Sequence, residues 1–348
     1  MAGTGQYPTI LDVASRSNAG GEIVRCAEML SQHLSLYKNM PFEKANERTA
    51  HMFVFRTSIP NGSWRMYNMG VPTSKSTTAK ARVSLGMLED YSVVDRALAE
   101  HTGNVEKFRR SEDVAFLEGM GQTIEQTLIY GNTATNPAGF QGLSTFYNTV
   151  NTNNAQNAAN VFSGGGTGSS NTSIWMLGLG PNKIYCVYPE GSAAGLDFED
   201  KGDIRPAYDS LGNQYEAYTA WFRQQISLVP EDWRFGARIP NIDVTTAGLA
   251  GPNALDIFAT LAEVAFAFPH LSAETSTITE TDDPNGDGAV KPIIVWNRTV
   301  AHWAQIQAMR NRNTLLQVDE YAGIAIPKWR GIPCHISDQI LNTETVVS

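Results

Sequence analysis

Apolar residues recur at helical spacing in two stretches of the first 130 residues. The first stripe predicts a helix that ends before Pro41. Its members are Ile23, Ala27, Leu30, Leu34 and Tyr37. The second stripe lies on a long helix predicted over residues 104–130, with Gly131 as its C-terminal stop. The residues of this helix expected to face the core are Leu117, Met120, Ile124 and Leu128.

Between the two helices the pattern becomes strand-like. Residues 51–56 predict a strand, residues 60–62 a turn, and residues 63–67 a returning strand. The whole excursion from Met52 to Met87 has little apolar material, and isolated hairpins are only marginally stable in water. We therefore expect some of its apolar residues to pack on an adjacent subunit. The candidates are Trp64, Met66, Tyr67 and Met69.

The second half of the chain alternates short strands with two amphipathic helices. The Asn- and Gly-rich segment 151–172 predicts a surface loop or linker. One helix is expected to begin at Pro252, and another is expected to be capped by Asn297 or Thr299. The predicted strands are 174–179, 183–188, 215–222, 233–239 and 291–296, with two more around Ile324 and Ile336. The fold class is mixed α+β.

Composition narrows the range of functions. Charged residues make up 18% of the chain, below the usual quarter, so the surface suits a protein that buries much of its exterior against neighbours. The net charge of −9 and the lack of a basic stripe argue against tight binding of nucleic acid. Three widely spaced cysteines fit a reducing compartment. No targeting or membrane-spanning segment is recognised, so assembly is expected in the cytosol.

Candidate chemical motifs are weak. The glycine-rich stretch Gly164–Ser170 has no lysine, which a phosphate-binding loop needs. The stretch Asp283–Gly288 begins like a calcium loop, but Ile294 stands where a bidentate Glu is required, so a turn is favoured over calcium binding. Cys334 and His335 are adjacent on a predicted strand and point to opposite faces. The sequence therefore predicts no enzyme, no cofactor and no metal site.

Several stretches, in this order along the chain, resemble the major capsid proteins of tailed bacteriophages, and most of all those of short-tailed phages. The stretches are Gly62–Thr78, Phe108–Met120, Leu128–Asn132, Gly139–Leu143, Asn171–Asp200, Val295–Asn297 and Arg330–Asp338. The resemblance implies the Hong Kong-type capsid fold, with a peripheral domain built on a spine helix, an axial domain, an N-terminal arm and an extended loop. Residues 104–130 match the spine helix, and residues 52–87 match the extended loop.

The resemblance also implies a function. Many copies would assemble in the host cytoplasm, as hexamers and pentamers, into the icosahedral shell of the virion that encloses double-stranded DNA. The expected partners are further copies of the chain, a separate scaffolding protein, a portal, a decoration protein and DNA held without sequence specificity, but no membrane. An encapsulin-like compartment shell and another phage structural protein remain the alternatives.

The expected domains are an N-terminal arm with helices (1–50), the extended loop (51–90), the peripheral domain (91–245) and the axial domain (246–348). This order is permuted, because only 15 residues follow Pro333 and too few remain to build returning peripheral strands. We expect the segment 174–239 to supply those strands and residues 245–252 to form the linker between the two domains.

Overall fold

The computed structural model describes residues 32–101, 103–153, 155–190, 197–200, 204–209, 211–245, 249, 254–268, 290–310, 316–321 and 324–348. Its helices are α1 (Ser35–Asn39), α2 (Arg96–His101), α3 (Val105–Tyr130), α4 (Leu143–Phe146), α5 (Ile257–Ala267) and α6 (Arg298–Arg310). Its first strands are β1 (Phe42–Lys44), β2 (Ala50–Ser58), β3 (Thr77–Ser84), β4 (Gly86–Asp95), β5 (Asn171–Leu179), β6 (Ile184–Tyr188) and β7 (Asp197–Asp200). The others are β8 (Arg205–Tyr208), β9 (Gln214–Pro230), β10 (Gly236–Asp243), β11 (Lys291–Trp296), β12 (Leu316–Tyr321), β13 (Ile324–Trp329) and β14 (Ile332–Ile336).

The chain divides into two compact units. The smaller comprises Met1–His33, Met87–Glu125 and Gly195–Gln225. The larger comprises Leu34–Gly86, Gln126–Ala194 and Ile226–Ser348. The mixed α+β class is confirmed. Among the described residues, no helix combines the length and the apolar character needed to cross a bilayer.

The smaller unit is built on the first 21 residues of α3. The side chain of Asn104 caps this helix by accepting a hydrogen bond from the backbone N–H of Lys107 at 3.0 Å. Strands β7 and β8 both pair antiparallel with β9. The helix packs on this sheet through Met120 and Phe116, with Phe222 of β9 fully buried beneath them.

The larger unit is built around β5, all nine residues of which are buried. Strand β10 pairs antiparallel with β5 through Gly236↔Leu177 and the residues that follow, and β11 pairs antiparallel with β5 from Lys291↔Leu179. Strand β14 runs parallel to β11. Helices α5 and α6 cover the sheet with an apolar face. The largest contributors to this core include Ile174, Ile239, Leu261, Val264, Ile294, Trp296, Val300 and Trp329.

Two glycines close the connection that follows the long helix. Helix α3 ends at Tyr130, as predicted, and the backbone N–H of Gly142 donates to the carbonyl of Gly131 at 2.8 Å. A Cβ atom at either glycine would clash with the carbonyl oxygen of Thr127. The chain therefore needs glycine at both positions to turn back against the helix end.

The observed units cut across the predicted domain boundary at residue 245. Strands β5 and β10, expected in one domain, share a sheet and a hydrophobic core with β11 and α5, expected in the other. The predicted permutation places β5 and β10 in a different domain from β11 and α5. Their shared sheet and core do not support that permutation. Long-range antiparallel pairing brings them together, which local sequence pattern does not reveal.

Several local predictions also need correction. Residues 63–67, predicted to return as a strand, form no strand. The strand that pairs with β2 is β3, at residues 77–84. Residues 233–235 form a 3₁₀ turn capped by the side chain of Asp232, so the following strand begins only at Gly236. Helix α5 begins at Ile257, where the side chain of Asp256 caps it, and not at Pro252. The segment 151–172 is no free linker, since Val161 forms a β-bridge with Arg238.

Most of the helix predicted before Pro41 lies outside the described residues. Of the part that is described, residues 35–39 are helical, as α1. The predicted strand 291–296 is confirmed as β11. The predicted helix over 104–130 is confirmed as α3. The helix after β11 is capped by Asn297, whose side chain accepts from the backbone N–H of Thr299 at 2.8 Å.

Candidate interaction surface

Strands β2 and β3 form a hairpin. They make a two-stranded sheet of their own, separate from the main sheet. They pair antiparallel from Ala50↔Ser84 to Arg56↔Thr78, and an irregularity precedes Ser58. Hydroxyl groups close the ribbon, with Thr57 and Thr77 in a 2.7 Å hydrogen bond. Residues 59–76, which we call the tip, contain no regular secondary structure apart from a turn.

The base of the hairpin is anchored in a small hydrophobic core. Phe53 and Val83 are buried against Tyr185, with Val187 and Val229 completing the cluster. The hydroxyl of Tyr185 also donates to the carboxylate of Glu231 at 2.7 Å. A ribbon of this kind has little core of its own, so these contacts stabilise its base and leave the tip without support.

The tip displays large apolar side chains to solvent. Trp64 and Tyr67 are fully exposed, at 105% and 95% of their reference area, and Met66 and Met69 are more than half exposed. A contiguous exposed apolar patch marks a surface that meets another molecule. The four residues singled out from the sequence therefore lie together on one exposed segment.

The hairpin is also cationic. From residue 48 to residue 88 the sequence contains six basic side chains and no Asp or Glu. They are Arg48, Arg56, Arg65, Lys75, Lys80 and Arg82. Arg82 pairs with Glu47 at 2.7 Å, near the base. In a chain of net charge −9, this concentration of positive charge favours an acidic partner surface.

The long helix α3 buries a different stripe from the predicted one. Met120, Ile124 and Leu128 are buried, whereas Leu117 is 42% exposed, which corrects its assignment to the core. Phe116 occupies the inward position instead and stacks on Phe222, with ring centroids 6.1 Å apart. On a regular helix Leu117 lies only about 20° around the axis from Ile124 and Leu128, so helical spacing alone does not explain its exposure; what packs against each part of the helix decides it.

Leu117 lines an open pocket of about 500 Å³ on the smaller unit, which we call the helix pocket. Its main lining residues are Glu106, Arg109, Asp113, Leu117, Phe198 and Phe222. Phe198 is 53% exposed and lies at 5.1 Å from Phe222, centroid to centroid. Burial is the largest influence on Asp113 and raises its pKa. No local sequence pattern indicates this pocket, because Phe198 and Leu117 are far apart along the chain.

No catalytic arrangement is found among the described residues. Burial raises the pKa of the Cys334 thiol to about 12, so the thiol stays protonated and unreactive. The glycine-rich loop at 164–170 lies along β10, with the backbone N–H of Gly166 bonded to Asn241 at 2.7 Å. Within the described ranges, no group of three metal-ligating side chains comes together. The calcium-like stretch 283–288 lies outside those ranges.

Comparison with known proteins gives the family. Residues 18–348 match the family described as Major capsid protein GP7. A chain of the bacteriophage Epsilon15 structure aligns at 32% identity with a TM-score of 0.74, over 100% of this chain and 99% of that one. The bacteriophage JBD30 capsid aligns at 10% identity and a TM-score of 0.46, over 97% and 96% of the two chains.

An encapsulin from Synechococcus elongatus aligns at 12% identity and a TM-score of 0.40, over 67% of this chain and 96% of that one. No curated protein matches the chain. The family match spans nearly the whole chain and the Epsilon15 alignment spans all of it, so the compartment-shell and other structural-protein alternatives are set aside. The chain belongs to the GP7 family of tailed-phage major capsid proteins: it is a structural protein of the virion that forms the phage shell, and it is not an enzyme.

Proposed function

We propose that copies of this chain join into the shell through the hairpin, with the tip of each hairpin lying on an adjacent copy. The observation that supports this is the exposure of Trp64, Met66, Tyr67 and Met69 on a segment without a core of its own. Aromatic side chains bury 150–250 Å² each and dominate the energetics of interfaces. Truncating Trp64 to Ala would cost about 3–5 kcal/mol if the side chain is fully enclosed in the contact.

The units of this shell are hexamers and pentamers that enclose double-stranded DNA. DNA is held without sequence specificity, since a chain of net charge −9 does not favour a dense set of phosphate contacts. A separate scaffolding protein, a portal and a decoration protein complete the expected partners. We assign the smaller unit, which contains most of the long helix, to the peripheral domain of the capsid fold.

Trp64 provides the test. Wild-type protein, Trp64→Phe and Trp64→Ala are produced under conditions that yield shells, and particles are counted by negative-stain microscopy after sedimentation. We expect Trp64→Phe to retain shells, because an aromatic ring is preserved, and Trp64→Ala to remain as folded, unassembled subunits. Circular dichroism of the subunits shows whether the fold survives. Normal shell yield from Trp64→Ala would reject the proposed role of the tip.

A further inference from the structure

We propose that Asn61 in the hairpin tip deamidates spontaneously in the free subunit, and that subunits left unassembled thereby lose the ability to join the shell. The site follows from the chain around Asn61, whereas its effect on assembly rests on the proposed contact between the tip and an adjacent copy. Gly62 follows Asn61 directly. The same pair recurs at Asn285–Gly286, which lies outside the described residues.

The reaction needs only these two residues and water. The backbone nitrogen of Gly62 attacks the side-chain carbonyl carbon of Asn61, and the new nitrogen–carbon bond closes a succinimide ring. The bond from that carbon to the amide nitrogen breaks, and this nitrogen leaves as ammonia with the proton of the Gly62 N–H. Water then opens the ring at either carbonyl and yields aspartate or isoaspartate. Attack within one chain is fast when the two atoms can approach in the right orientation.

The backbone around Asn61 is free to reach that orientation. Residues 59–66 form neither helix nor strand, and Asn61 and Gly62 are both exposed. Within the part of the chain that the structure describes, no hydrogen bond involves either residue. A Cβ atom at Gly62 would meet no atom within 4 Å beyond its two chain neighbours. Because glycine has no side chain, its nitrogen is unshielded and its backbone turns freely.

Asn68 in the same tip should react much more slowly. It is exposed as well, but it is followed by Met69, whose side chain hinders approach to its own nitrogen. The N–H of Met69 also donates to the carbonyl of Met66 at 3.3 Å, which holds this nitrogen in a turn. Asn61 and Asn68 therefore share their exposure and differ in the nitrogen that would attack.

Deamidation changes both the charge and the path of the tip. The hairpin from residue 48 to residue 88 contains six basic residues and no acidic one, so a carboxylate at position 61 becomes its first negative side chain. This charge lies close in sequence to Trp64 and Arg65, and it weakens attraction to an acidic partner surface. Isoaspartate also adds one methylene to the backbone, which displaces the residues that follow. In the shell, the proposed contact holds the backbone of the tip, so the reaction slows there.

Heavy-oxygen water tests the site, because opening of the ring leaves one oxygen atom from water in the product. Dispersed subunits are incubated in it at mildly alkaline pH and are then digested with trypsin in ordinary water. Cleavage after Arg56, Arg65 and Lys75 gives one peptide with Asn61 and one with Asn68, each containing a single Asn. We expect the Asn61 peptide to gain label many-fold faster than the Asn68 peptide by mass spectrometry. Equal rates, or no label at Asn61, would overturn the site.

Assembly of aged subunits tests the consequence. Gly62→Ala is the matched variant, because Gly62 has no positive φ and has open space for a Cβ, which then hinders the attack. We expect aged wild-type subunits to give several-fold fewer shells than fresh ones, and aged Gly62→Ala subunits to keep their yield. Without ageing, Asn61→Asp should lower the yield and Asn61→Gln should not. Aged wild-type subunits that assemble as well as aged Gly62→Ala subunits would overturn the effect on assembly.

Labelling in assembled particles separates the site from the proposed contact of the tip. We expect Asn61 to gain label more slowly in particles than in dispersed subunits. Equal labelling in the two states would contradict the proposed contact and the loss of assembly that rests on it, but would support the deamidation site. An unlabelled Asn61 in dispersed subunits would overturn the site and leave the contact, which Trp64→Ala tests by itself, standing.

Discussion

The guanidinium of Arg238 donates to the carboxylate of Glu344 across 2.8 Å, and both side chains are about 95% buried. Arg238 also donates to the carbonyl of Tyr147 at 3.0 Å and lies over the ring of Trp175. Glu344 accepts from the hydroxyls of Tyr130 and Ser173. One buried ion pair thus joins β10, β5, the end of the long helix and the C-terminal segment.

Replacing Glu344 by Gln should destabilise the subunit strongly. The change leaves the Arg238 guanidinium buried without its counter-charge, and removal of one partner of a buried pair costs about 3–5 kcal/mol. Glu190→Gln is the matched control, because Glu190 pairs with Lys44 at 3.2 Å with both side chains about half exposed. That change should cost about 1 kcal/mol or less. Urea unfolding of dispersed subunits measures both, and equal effects would contradict the assigned role of the buried pair.

Leu117 should matter less for folding than the buried residues of the same helix. Because its side chain is 42% exposed in the subunit, Leu117→Asp should lower the free energy of unfolding by about 1 kcal/mol or less. Ile124→Asp is the control on the same helix. Ile124 is 2% exposed, so an Asp there buries an unpaired carboxylate and should cost about 4 kcal/mol or more. Equal destabilisation by the two variants would show that Leu117 belongs to the core.

The larger unit should lose stability in mild acid because His335 becomes protonated. Burial lowers the pKa of His335 below its ordinary value of 6.5. Its neutral form is therefore favoured by folding, and the associated stability is present above about pH 6.5 and lost as the pH falls through the folded-state pKa. We expect the free energy of unfolding to decrease between about pH 7 and about pH 5, and His335→Gln to reduce that slope. His302→Gln, at an exposed position, serves as the control. An unchanged slope in His335→Gln would contradict the prediction.

Cys186 and Cys334 should resist alkylation in the native subunit. Both thiols are almost completely buried, and burial raises the pKa of each, that of Cys334 to about 12. The reactive thiolate is therefore scarce, and iodoacetamide cannot reach the sulfur. Mass spectrometry of native protein should find both residues unmodified, and unfolding in denaturant should make both reactive. Rapid modification of Cys334 in the native state would reveal a more open β14.

Local features of the fold could be predicted from the sequence. The long helix was predictable because its apolar spacing, its Asn104 cap and its Gly131 stop all act within a few residues. The capped start of α6 at Asn297 was predictable for the same reason. Each of these signals reports a hydrogen bond or a steric requirement between close neighbours in the chain.

Features that depend on distant partners could not be predicted. Phe116 and Leu117 are both apolar neighbours, and it is Phe116 that stacks on Phe222, a residue more than a hundred positions away in the chain. The pairing of β5 with β10 and β11 joins segments on both sides of residue 245, and no local pattern in the sequence indicates it. The ion pair between Arg238 and Glu344 has no local signal in the sequence.

A cryo-electron microscopy reconstruction of particles assembled from this chain tests most directly whether the hairpin joins the subunits. We expect a closed icosahedral shell in which density for each hairpin tip, with the indole of Trp64, lies against an adjacent copy. A closed shell in which the tips project into solvent and touch no other copy would contradict the central claim that the hairpin joins the subunits.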